Sequence, residues 1–214
     1  MTLPVIDVPT YEMKIPSSGK TVTVRPFTVK EEKLLLMAAE SGKINDISAT
    51  VKQVINNCIV KGKLDVDAAP FFDIDYAFIY LRAKSIGETQ DIKLTCRNKP
   101  DGEHECGNVI PAKLDMNDVE IVQNPDIQND IELGKGKGVK MKYPPYSVIK
   151  RIEEEQTTLD KKTAMIVACI ESIYDKDQIF KAADYTTGDL KTFVEQLTEQ
   201  NYKNLEQWTL EFPT

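Results

Sequence analysis

A chain of 214 residues with 41% hydrophobic and 29% charged side chains can bury a core, as one domain or as two small lobes. Its formal charge of −7, with no basic stripe, excludes a nucleic-acid surface and argues equally against binding anionic lipid. Apolar runs fall short of the roughly 20 residues of a membrane span, and MTLPVIDVPTYEM lacks the features of a signal peptide, so a cytoplasmic protein that binds other proteins is expected.

TVTVRPF, residues 21–27, alternates β-branched and polar residues as a strand does, and Ser17-Ser18-Gly19-Lys20 offers the turn back to YEMKI. Thr28-Val-Lys-Glu31 is a capping box that opens a helix through Leu34–Met37, stopped at Ser41-Gly42. A second helix, starting near Asp46–Ser48, places Val51, Val54, Ile55, Cys58 and Ile59 on one face. A third starts near Asp73 and ends at Gly87.

Residues 139–214 repeat this order. GVKMKYPPY reads as a strand closed by Pro-Pro, followed by helices over YSVIKRIEEE and over KKTAMIVACIESIYD, and by a third opened at Thr186. Superposing the halves sets Cys58 on Cys169, Ile55 on Ile166, Ile59 on Ile170 and Asp75 on Asp189. An internal duplication and plain helical periodicity both account for the match. The fold class expected is α+β, mainly helical. Two similar strand-plus-three-helix lobes, residues 1–87 and 139–214, flank a β-hairpin insert, residues 88–138. The first strand of each lobe leaves an edge open to strand addition by a partner.

The insert holds much of the acidic excess, with 6 basic and 11 acidic side chains in residues 87–138. ETQDIKLTC and GNVIPAKL read as its strands, around the polar loop Asn98–Glu105. The GKGKG run, with Gly134, Gly136 and Gly138, reads as a flexible joint and lacks the spacing of a phosphate loop. Nine residues lie between Cys96 and Cys106, His104 among them, where a zinc knuckle usually has two to four. A metal-free hairpin with a zinc-ribbon-like pattern is the expectation. The alternative is a metal-binding adaptor in which Cys96, Cys106 and His104 hold zinc with a fourth ligand from elsewhere; a disulfide is disfavoured in a reducing compartment. Cys58 and Cys169 read as small core residues.

No nucleophile has a base to activate it, because His104 is the sole histidine and sits in a polar loop. The acid pairs Asp65/Asp67, Asp73/Asp75, Glu153–Glu155 and Asp175/Asp177 stand where helix caps or solvated faces place acids anyway. No catalytic residue and no cofactor is expected, zinc aside. Aromatic residues near helix ends, Phe71, Phe72, Tyr76, Tyr143 and Tyr146, are candidate partner anchors, with core packing as the competing reading.

Arg25-Pro26-Phe27 before a capped helix, Asn57-Cys58, Phe72-Asp73-Ile74-Asp75-Tyr76, Leu81-Arg82-Ala83-Lys84-Ser85 and the cysteine hairpin resemble one family. It is that of the baseplate proteins of T4-like contractile-tailed bacteriophages, more narrowly the small hub subunits and hub assembly proteins. The resemblance implies a non-enzymatic role in building the baseplate hub. It also implies other baseplate hub and tail proteins as partners, and a place in the host cytoplasm during assembly or in the virion. It supplies no catalytic residues.

Overall fold

The computed structural model describes residues 7–100, 102–122 and 127–213. The N-terminal segment alternates buried and exposed residues and folds as the hairpin β1 (Tyr11–Lys14) and β2 (Thr21–Val24). Two helices follow, α1 (Val29–Ser41), ended by Gly42 in the left-handed conformation, and α2 (Ile44–Cys58). The last residue of α2 runs directly into β3 (Ile59–Lys61), which returns antiparallel beside β2 to complete a three-stranded sheet. The helix α3 (Phe71–Ile86) closes this half. Met13, Val22, Val24, Val54, Ile55, Cys58, Ile74 and Leu81 form its buried core.

After an isolated hairpin, β4 (Thr89–Thr95) and β5 (Val109–Asp115), the pattern begins again. The strands β6 (Asp130–Gly134) and β7 (Lys137–Met141) pair antiparallel, and α4 (Ile149–Glu154) and α5 (Thr158–Cys169) follow. The end of α5 passes straight into β8 (Ile170–Tyr174), which pairs with β7 and is flanked by β9 (Ile179–Lys181). The helices α6 (Thr187–Glu195) and α7 (Glu199–Leu210) end the chain. Val139, Met141, Ile166, Cys169, Ile170, Leu205 and Trp208 make the second core. Seven α-helices and three small sheets among the described residues make the protein mixed in its helices and strands.

The correspondence between the halves reaches individual hydrogen bonds. Val24 pairs with Ile59 just past a register break, and Met141 pairs with Ile170 just past a break at the same place. The next residue in each case donates its N–H to a cysteine carbonyl: Arg25 to Cys58 at 2.8 Å, and Lys142 to Cys169 at 2.7 Å. Cys58, Cys169, Ile55 and Ile166 are all fully buried, as core thiols and core aliphatics should be. The superposition of Asp75 on Asp189 fails in helix position. Asp189 sits third after the cap of α6, and in α3 that place belongs to Asp73.

Four sequence expectations need correction. TVTVRPF and GVKMKYPPY leave no edge open to a partner, because β2 and β7 are inner strands paired on both sides. KKTAMIVACIESIYD is not one helix, because from Ile170 onward the chain pairs with β7 instead of continuing α5. The GKGKG run is not a loose joint. It is a tight turn inside the β6–β7 hairpin, with Lys135 (φ 57°) and Gly136 (φ 74°) both left-handed, as a type I′ turn requires. The boundary set at 138/139 therefore falls inside β7, and β6 belongs to the C-terminal sheet, not to the insert.

Candidate functional site

Three of the strings that carry the family resemblance, around Arg25-Pro26-Phe27, Asn57-Cys58 and Leu81–Ser85, meet at one corner. Where β2 ends, Arg25 turns inward and pairs with Glu31 at 2.9 Å, and a second nitrogen reaches the sulfur of Cys58 at 3.9 Å. Glu31 also accepts from the Thr28 N–H at 2.8 Å, and Phe27 donates its N–H to the hydroxyl of Ser85 at 2.9 Å. Glu31 is only 3% exposed. Burial alone would push its carboxyl up, but the hydrogen bonds from Arg25 and Thr28 outweigh it and hold the pKa at about 2. Ends of β2, α1, α2 and α3 are thus tied by one ionic knot. It is a positioning device, with no free nucleophile or base in it.

Most of the acid pairs are likewise committed to local structure. Asp73, buried at the start of α3, accepts from both the N–H (2.9 Å) and the hydroxyl of Ser17. Asp65 accepts from the Ala68 N–H at 3.3 Å, Asp67 pairs with Lys52, and Asp175 accepts from the N–H groups of Asp177 and Gln178. Burial, chiefly, raises the Cys58 thiol to about 11 and the Cys169 thiol to about 12, so neither is a ready nucleophile.

The cysteine loop closes the β4–β5 hairpin. Cys96 donates its N–H to Asn108 (2.8 Å), Gly107 to Cys96 (3.0 Å) and Cys106 to Asn98 (2.7 Å), and the two cysteines are free thiols. Cys106 and His104 are exposed. Among the described residues, no three His, Cys, Asp or Glu side chains are grouped so as to hold a metal ion.

Four of the five aromatics singled out from the sequence meet in a seam between the halves. Phe71 lies against Tyr146 with ring centres 5.8 Å apart, and Phe72 against Tyr143 at 5.1 Å. Tyr143 also stacks on Trp208 and contacts Phe212. The backbone crosses here too, with Tyr146 donating its N–H to Ala69 at 2.8 Å beside a bridge between Pro70 and Pro145. Phe72 (5% exposed) and Tyr146 (7%) offer almost nothing to a partner, because their faces are spent inside the chain. Phe71 and Tyr143 keep open edges, and Tyr76 lies apart beside Tyr80.

Sequence reasoning missed the largest uncovered apolar feature of the insert. In the β4–β5 register Gln90 faces Leu114, Ile92 faces Ala112 and Leu94 faces Ile110, so one face of the ribbon is aliphatic. Leu94 is 51% exposed, Ile110 48% and Leu114 41%. The other face is polar, with Asp91 opposite Lys113. The base of the ribbon is anchored. Met116 donates its N–H to Glu88 at 2.7 Å, and Lys84 of α3 reaches both Glu88 and Asn117. A lone two-stranded ribbon is marginal in water, and alternation of the aliphatic residues was the signal that could have found this face.

A second concavity, of about 680 Å³, lies between the C-terminal sheet and α6, lined chiefly by Leu133, Ile173, Phe180, Leu190, Phe193 and Leu197. Residues 8–214 match the family described as T4 bacteriophage base plate protein, and the chain belongs to that family. Among its relatives is the baseplate hub assembly protein gp26 of Enterobacteria phage T4, 25% identical over 191 residues, which are 89% of this chain and 78% of the relative. No solved structure matches the chain significantly.

Proposed function

We propose that this chain is a structural or assembly component of a contractile-tail phage baseplate hub, acting through contacts with other hub and tail proteins and catalysing nothing. The observation that carries this reading is a family match spanning residues 8–214, whose relative is named for hub assembly. Its support in the fold is the aliphatic face of the β4–β5 ribbon, on which Leu94, Ile110 and Leu114 are 51%, 48% and 41% exposed. Among those residues no helix is long and apolar enough to cross a membrane.

The test is genetic. A double change of Leu94→Asp and Ile110→Asp is introduced into the gene of the phage that encodes the chain, and baseplates are counted by electron microscopy of lysates. Loss of complete baseplates, with the purified variant still folded by circular dichroism, is the expected result. Normal yields of tailed particles would refute the ribbon as the contact. Normal yields after deletion of the whole gene would refute the role. Mass spectrometry of purified particles then separates a retained subunit from a factor released after assembly.

A further inference from the structure

At the seam a pocket of about 280 Å³ is lined by Phe71, Phe72, Tyr143, Phe212 and Met165 together with Asp75. The helix α3 puts three of these groups together: Phe71 and Phe72 precede Asp75 by four and three residues, the spacings that share a helix face. The rings stand nearly perpendicular. Phe72 meets Tyr143 at 89°, and Tyr143 meets Phe212 at 83° with centres 6.1 Å apart, so the faces of the lining rings point in different directions. Such faces carry negative quadrupole charge and attract a cation placed over them.

Asp75 differs from its neighbour. Asp73 is buried and engaged by Ser17, whereas Asp75 takes no hydrogen bond or ion pair among the described residues. Burial pushes its carboxyl pKa up, and its charge in turn raises the Tyr146 phenol, itself raised first by burial, to about 12. A carboxylate set against rings, with no cation of its own, is half of an interaction. A guanidinium completes it better than an ammonium, because its plane stacks on a ring while its edge forms two parallel bonds to the carboxylate.

We propose that this pocket receives an arginine side chain presented by a neighbouring protein, held by Phe71, Tyr143 and Phe212 and fixed by Asp75. The proposal rests on the reading of the chain as a protein-contact component and names one chemical feature its partner must carry.

The single tryptophan reports on the site directly, since Trp208 stacks on Tyr143 with centres 5.7 Å apart. The intact protein is titrated with Nα-acetylarginine amide, with the lysine and norleucine amides run in parallel, following Trp208 emission and the ring proton signals of Tyr143 and Phe212. The arginine probe is expected to bind at least about fivefold more tightly than norleucine amide, with lysine between them. Asp75→Asn should remove that advantage without lowering the melting temperature. Equal binding of the arginine and norleucine probes, or an unchanged advantage in the Asp75→Asn protein, would overturn the pocket. No phage protein enters the titration, so its failure leaves the gene deletion experiment to decide the role independently.

Discussion

At the corner where β2 leaves its sheet, the basic residue Arg25 folds inward beside Cys58 and locks to Glu31. At the matching corner after β7 stands Lys142, whose N–H bonds Cys169 but whose side chain takes no ion pair among the described residues. The chain there continues as Tyr143-Pro144-Pro145-Tyr146, and those residues cross to the other half and pack on Phe71, Phe72 and Ala69. One framework therefore carries two solutions. The N-terminal half closes its corner on itself with charge, and the C-terminal half uses the same corner to clasp its neighbour with rings. The two halves share their buried positions and differ at their corners, because only the former are fixed by packing on the sheet.

The sharpest test of that shared framework is truncation at the two equivalent core positions. Ile55 and Ile166 are both fully buried, one turn before the helix-to-strand junction. Ile55→Ala and Ile166→Ala should each lower stability by about 2–5 kcal/mol, through lost burial and the cavity left behind. Urea unfolding followed by circular dichroism measures both. Costs within about 1 kcal/mol of each other would fit the equivalence, and a negligible cost at either site would break it.

The contrast between corners is sharpened by acid. Glu31 has a folded pKa of about 2 against an ordinary value of 4.5, so its ionised form favours the fold. That contribution, about 3 kcal/mol, is present above pH 4.5 and is lost as pH falls from there towards 2. Glu31→Gln should destabilise at pH 7 by roughly that amount and flatten the stability profile between pH 4.5 and 2. Melting temperatures across that window for the two proteins give the comparison. An unchanged slope would show that the knot does not govern acid sensitivity.

Much of the framework was readable from local pattern. Thr28 and Glu31 announced the start of α1, Gly42 and Gly87 its stop and that of α3, and the register of Cys58 with Cys169 followed from helical spacing alone. What escaped was imposed from a distance. Ile59 and Ile170 continue the apolar period of their helices, yet their backbones turn extended (ψ 118° and 120°) because β2 and β7 offer a ladder to join. The aromatics were recognised as a group, but their destination was not, since nothing in Phe72 or Tyr146 tells a core contact from a partner anchor. That Asp75 lines one pocket with Tyr143 and Phe212, from distant stretches of the chain, is also invisible in one dimension.

The smallest expected effect belongs to the element that neither half claims. Leu94 and Ile110 face each other across the ribbon, but both are about half exposed, so little burial is lost when they are shortened. Leu94→Thr with Ile110→Thr puts β-branched residues at both strand positions and should change global stability by no more than about 0.5 kcal/mol. The same change should lower the protein's adsorption to a hydrophobic interaction column, because it removes aliphatic surface that is already in water. If instead the melting temperature falls as it does for Ile55→Ala, the ribbon's aliphatic face is packed on the chain itself. The body and the insert would then be one cooperative unit, and the surface assigned to a partner would have been core all along.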